Sequence, residues 1–184
     1  MVSLSEKWAH QLAMHDMIPA EDEAFYSYGF RQGAVLLLNI ITMLCIGWLM
    51  GMVKETIIFM LAYLPLRRMA GGYHARTQLR CYLLGIVLTV SVLLAVKLLP
   101  WNWVADSVLL IIASMVVIWQ APLEDCNKPL DEAERIAYGQ QTRKLLIAEI
   151  VVYMGLTALK QSTLSQVLAA SLVALAIMLL LGNK

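Results

Sequence analysis

Charge is scarce in this chain. Asp, Glu, Lys and Arg make up 15% of its 184 residues, and 60% are hydrophobic. Soluble domains carry roughly a quarter charged residues. The shortage excludes an ordinary soluble enzyme and points to a polytopic membrane protein. An excess of one sign is missing as well. The net charge is +1, so no nucleic-acid partner is expected. Cysteine is sparse: Cys45, Cys81 and Cys126 stand far apart and do not form a disulfide framework. There is no internal repeat, low-complexity tract or polar linker, so residues 1–184 read as a single membrane-embedded domain. The opening "MVSLSEKWAHQLAMHDMIP" lacks a long apolar core, so no cleavable signal peptide is expected.

What the chain has is long apolar runs. Five are clear, over residues 33–52, 82–99, 104–121, 145–159 and 164–181. A helical span needs about 20 residues. A sixth run, 53–66, is doubtful: it opens on Lys54 and Glu55 and ends near Pro65. Its apolar part covers only about 16 Å as a helix, so it either spans a thinned bilayer or forms a re-entrant half-helix. The predicted fold is therefore an all-α polytopic membrane protein with five to six transmembrane helices. Residues 1–32 add an amphipathic N-terminal region. There Ser3 and Glu6 have capping-box spacing, Leu4, Trp8 and Leu12 form one stripe, and Pro19 stops the run. Such a helix lies in the membrane interface or packs on its own bundle. Cys45 and Asn39 fall inside the first run, where Cys45 is expected to be a small buried hydrophobe. Glu149 stands about one turn from Lys144 and is expected to reach the interface.

Loop charges orient the chain. With six spans and both ends in the cytosol, 11 of the 14 basic residues lie inside. Without the doubtful span the division is 10 against 4, with the N-terminus outside. Both arrangements put residues 67–81 and 122–144 on the cytosolic face.

The segment 67–81, "RRMAGGYHARTQLRC", is the most unusual stretch. It holds Arg67, Arg68, Arg76 and Arg80 together with His74 and Cys81 between two oily segments. Gly71 and Gly72 permit backbone conformations closed to other residues, and are expected to break the helix there. His74 and Cys81 on one straight helix would be about 10 Å apart along the axis. A working pair therefore needs His74 off the helix that carries Cys81. Cationic neighbours and a helix N-terminus favour a thiolate, the nucleophilic form of cysteine. Cys126 is the rival nucleophile, with His10 or His15 as partner, but Glu124 and Asp125 beside it disfavour an anion. Gln78, Asp125 and Asn127 are candidates for a group that orients His74. The acidic loop with Asp131, Glu132 and Glu134 could hold Mg²⁺ and a diphosphate. It lacks paired aspartate motifs and reads equally as a charged surface helix. No metal and no cofactor are expected.

"RRMAGGYHA" followed by Cys81, with "APLEDCNKPL" some fifty residues later, resembles the accessory gene regulator B (AgrB) family of bacterial membrane cysteine endopeptidases. The similarity covers most of the chain. It implies a catalytic pair at His74 and Cys81, with Arg67, Arg68, Gly71, Gly72 and Asn127 as substrate-binding or supporting residues. Lys128 and Pro129 match the same family signature as Asn127. The implied partner is a short AgrD-like precursor peptide with an amphipathic leader and an acidic tail, alongside membrane lipid and with room for a homodimer. The implied chemistry is cleavage through an acyl-enzyme thioester that yields a cyclic thiolactone or lactone in quorum sensing at the cell membrane. The competing class is a non-catalytic membrane protein, a peptide exporter or scaffold, in which the Cys81 thiol is dispensable.

Overall fold

The computed structural model describes residues 4–15, 17–73, 77–99, 102–123 and 131–182. The elements in order are α1 (Leu4–Met14), a 3₁₀ turn (Ala20–Asp22), α2 (Glu23–Met50), α3 (Val53–Ala70), α4 (Gln78–Leu98), α5 (Trp103–Gln120), α6 (Glu132–Ala158) and α7 (Ser162–Gly182). No strand occurs among the described residues. Among them, α2, α4, α5 and α7 are long and apolar enough to cross a membrane. The chain is an all-α polytopic membrane protein.

Several boundaries differ from those read in the sequence. The first long helix starts at Glu23, well before the apolar run, because no proline stands between Phe25 and Gln32 and the single Gly29 there is tolerated within a long helix. The doubtful run is an uninterrupted 18-residue helix that passes through Pro65 and ends only at Ala70. That is about 27 Å of helix. In α6 the helix begins at Glu132, so the second half of the expected loop 122–144 is helical. Asp131 caps it, and with Glu134 forms a capping box. These two acids of the loop thus serve a helix end. Among the described residues no group of His, Cys, Asp and Glu is placed to hold a metal.

The chain divides into two compact units, 1–43 and 44–184. In the first, the Trp8 ring meets Phe30 edge-on at 6.1 Å, and the His10 ring lies 3.3 Å from the Glu23 carboxylate. The amphipathic helix is therefore pinned to α2 by its own aromatic stripe. It stops at Met14, short of Pro19, and the Ser3 half of its expected cap lies outside the described residues.

The second unit is a bundle built around α7. That helix packs against α3, α4, α5 and α6. Its small residues Ala169, Ala170, Ser171 and Ala174 are all buried and allow close backbone approach, the usual way helices associate in a bilayer. Leu168, Leu172, Leu175 and Leu179 fill the space towards Phe59 and Leu66 of α3, Leu93 of α4, Val117 of α5 and Leu146 of α6. Gly47 allows the α2–α3 corner to close. A Cβ there would lie 2.2 Å from the Thr56 hydroxyl oxygen, and Gly51 turns the chain at φ 70°.

Two expectations fail here for one reason. Cys45 is exposed, and Glu149 is buried. A helix in lipid turns apolar residues outward, so an apolar setting does not imply burial. Glu149 points at α7 and bonds the Ser171 hydroxyl, far from the interfacial role its distance from Lys144 suggests. Asn39 simply donates back to the Val35 carbonyl at 2.8 Å.

Candidate active site

The site is assembled at one end of the bundle from the end of α3, the start of α4, the end of α5 and the end of α7. Gly71 ends α3 with φ 76°, and Gly72 follows at φ 120°. Both lie in the left-handed range that favours glycine. Their second property is space. A Cβ on Gly71 would sit 2.3 Å from the Leu123 carbonyl oxygen, and one on Gly72 would sit 2.8 Å from Arg67 Nη1. The expected break at the glycine pair is thus a strap, residues 71–73, pressed between three other elements.

Hydrogen bonds fix the strap. The Leu123 N–H donates to the Ala70 carbonyl at 2.9 Å, and the Tyr73 N–H donates to the Met178 carbonyl at 2.9 Å. Arg67 Nη2 donates to the Tyr73 carbonyl. Gly182 closes the far side: a Cβ there would lie 2.7 Å from the Tyr73 nitrogen. The strap therefore delivers the chain to residue 74 from a position held on three sides.

The chain re-enters helix at Thr77. Its side chain accepts from the Arg80 N–H at 3.3 Å, the ordinary role of an N-cap threonine. Cys81 stands in the first turn of α4, its N–H bonded to the Thr77 carbonyl at 3.1 Å, and it is half-buried. The helix that carries Cys81 begins at Gln78, four residues after His74 in sequence. Tyr63 of α3 connects the two halves. It is buried one turn before Arg67 and lies within electrostatic range of both Arg67 and Cys81.

Arg67 and Arg68 part company. Arg67 turns inward to the strap and Tyr63, and its Nη1 is buried with no hydrogen-bond partner among the described residues. Arg68 is exposed, as are Arg80 and Gln78. His74, Arg76, Glu124, Asp125, Cys126, Asn127, Lys128 and Pro129 lie outside the described residues.

The geometry brings in residues that sequence reasoning missed. Tyr63 was legible in principle: it lies four residues before Arg67, on the same helix face. Met178 and Gly182 had no local signal, because they reach the site only through tertiary packing.

The family of accessory gene regulator B proteins matches residues 5–180, nearly the whole chain. The chain belongs to the AgrB family. It is similar to AgrB-like protein 1 of Clostridium perfringens (strain 13 / Type A), 26% identical over 144 residues, which covers 78% of this chain and 75% of that protein. It is also similar to an AgrB-like protein of Clostridium perfringens (strain SM101 / Type A), 24% identical over 185 residues, covering 91% of this chain and 85% of that one. No solved structure matches the chain. The AgrB match includes the strap, Thr77, Cys81 and the end of α7 up to residue 180.

Proposed function

We propose that the chain is a cysteine endopeptidase of the membrane, cleaving a short AgrD-like propeptide through a thioester on Cys81. The observation that carries this reading is the placement of Cys81: a half-buried thiol in the first turn of a capped helix, beside Tyr63 and the Arg67-held strap that leads to His74. Family membership supports the same reading. The arginine-rich segment 67–81 faces the cytosol, where the precursor is made.

The steps follow from the chemistry of the pair. His74 takes the Cys81 thiol proton, and the thiolate attacks the scissile carbonyl. The S–C bond forms, the C–N bond breaks, and His74 passes the proton to the leaving amine of the acidic tail. The acyl group remains as a thioester, still activated. A thiol or hydroxyl of the peptide then attacks it, closing a thiolactone or lactone, and its proton returns to the Cys81 sulfur. No oxidant and no ATP enter the balance. The ring is the product type used as an autoinducer in quorum sensing. Arg68 and Arg80, exposed near the strap, are available to the acidic tail.

The test is mass spectrometry of the protein in a bilayer after mixing with a synthetic precursor. A peptide adduct on Cys81, labile to hydroxylamine, is expected, and it should be absent in Cys81→Ser and present in Cys126→Ser. Unchanged processing by Cys81→Ser would return the chain to the exporter or scaffold class.

A further inference from the structure

The opposite end of the bundle holds a second polar site. Here α5 begins, α6 ends and α7 begins, and between them lies a cavity of about 400 Å³. Its walls include Asn102, Asp106, Thr157, Lys160, Ser162 and Gln166. The helices that start here end at Cys81's side of the molecule: α5 leads to Leu123 on Ala70, and α7 leads to Met178 on Tyr73. The cavity is therefore a full helix length from the strap and takes no part in the chemistry above.

We propose that this cavity binds a dipolar ligand, its primary ammonium on the Asp106 carboxylate and its anionic group on Lys160. Asp106 is 2% exposed, and its Oδ1 has no hydrogen-bond partner among the described residues. Buried carboxyl oxygens ordinarily have partners, and one left covered and unpaired in the wall of a cavity calls for a donor from the cavity side. Asp106 sits in the first turn of α5, where the helix dipole favours the anion. Lys160 lines the same cavity from the α6–α7 link, where its backbone is held at φ 57°. No ion pair joins the two residues, so opposite charges share one space without neutralising each other.

The remaining walls suit such a ligand. The Asn102 side-chain oxygen is used by the Ala105 N–H, which leaves its amide N–H groups as donors. The Thr157 and Ser165 hydroxyls donate to the carbonyls of Tyr153 and Ser162, so their oxygens remain as acceptors. The volume exceeds that of a single water or ion, and falls in the range of about 300–1,000 Å³ of small-molecule sites. Phosphoethanolamine has the required pattern. It is available as a lipid headgroup at the end of a membrane bundle or as a free solute, and the same two residues recognise it from either source.

The experiment uses the full chain in phosphatidylcholine nanodiscs. One arm adds soluble glycerophosphoethanolamine; the other replaces a third of the lipid by phosphatidylethanolamine. Thermal unfolding and native mass spectrometry read binding. A rise in Tm in either arm is expected for the wild type, and the arm that gives it identifies the source. Glycerophosphocholine, whose quaternary ammonium cannot donate a hydrogen bond, should give none. Asp106→Asn should raise the half-saturating concentration about tenfold or more, as loss of a charge-assisted bond requires. Lys160→Gln, on an exposed residue that the fold does not depend on, should weaken binding too. The proposal is overturned if neither ethanolamine probe binds, if the choline probe binds equally well, or if both variants bind like the wild type.

Discussion

Arg67 holds the carbonyl of Tyr73 across the two glycines that open the strap after α3. Its guanidinium also lies beside Tyr63, one helical turn back. One planar group with several fixed donors thus ties a helix face to an irregular segment. An ammonium on a flexible stem does not reproduce that fixed, planar geometry. Arg67→Lys keeps the charge and so keeps topology, but should lower precursor processing on the order of 10- to 100-fold by misplacing the strap. Arg68→Lys should change the rate of a neutral-tail peptide by less than about twofold, since no fixed geometry is lost. Equal rates for the two variants on that peptide would remove Arg67 from the positioning role. The readout is the initial rate of cleavage in liposomes.

Gly182→Ala tests the far wall of the strap. The new methyl would lie 2.7 Å from the Tyr73 nitrogen and 2.9 Å from the Gly72 carbonyl carbon. Backbone cannot yield as a side-chain tip can, so the Tyr73–Met178 bond should lengthen or break. Processing should fall, and amide exchange at Tyr73 should rise. Gly155→Ala, with nothing within 4 Å of its Cβ, is the control and should leave both unchanged.

Glu149 and Ser171 form a buried polar pair between α6 and α7. The Ser171 oxygen also contacts the Leu168 carbonyl at 2.8 Å. A serine has one hydroxyl proton, so both contacts are hydrogen bonds only when the carboxyl of Glu149 donates the other. Glu149→Gln preserves that pattern through its amide and should cost less than about 1 kcal/mol. Ser171→Ala strands the carboxyl and should cost about 1–3 kcal/mol. Unfolding in mixed micelles, followed by circular dichroism, measures both. Loss of stability in Glu149→Gln equal to that in Ser171→Ala would contradict the pairing.

The α2–α3 corner gives a fourth prediction. Gly47→Ala drives a methyl to 2.2 Å from the Thr56 hydroxyl oxygen and 2.8 Å from its Cβ. Overpacking of this kind costs about 1–3 kcal/mol. The same micelle titration should show it. The Cys81-labelling rate with a small iodoacetamide should stay unchanged, because Gly47 lies at the other end of α3 from the strap.

Local features of the site were legible because they depend on local chemistry. Paired glycines tend to end a helix whatever lies around them, and Thr77 at the following helix start is a preferred N-cap type. The strap and the start of the helix carrying Cys81 follow such signals. Packing was not legible. Helices α4 and α7 have mean hydropathies of 2.3 and 2.4, yet 22% of one and 67% of the other is buried within the protein. In water those figures would separate lipid-like surface from core; in a bilayer both environments are apolar, and hydropathy cannot tell them apart. The exposed Cys45, the inward Glu149 and the central role of α7 were hidden for that reason. Asp106 was hidden differently: a single acid near a helix start looks like an ordinary interfacial charge until the cavity around it is seen.

The position of α7 has a consequence for biosynthesis. It is translated after the four helices it packs against, and apart from α3 with α6 those helices meet one another far less than they meet it. Until it inserts, the faces that α3, α4, α5 and α6 turn to it have no protein partner. The carbonyl that receives the Tyr73 N–H belongs to Met178, near the end of that helix. A chain still on the ribosome therefore carries Cys81 but lacks the support of its strap, and the thiol waits for about a hundred further residues before its setting is complete.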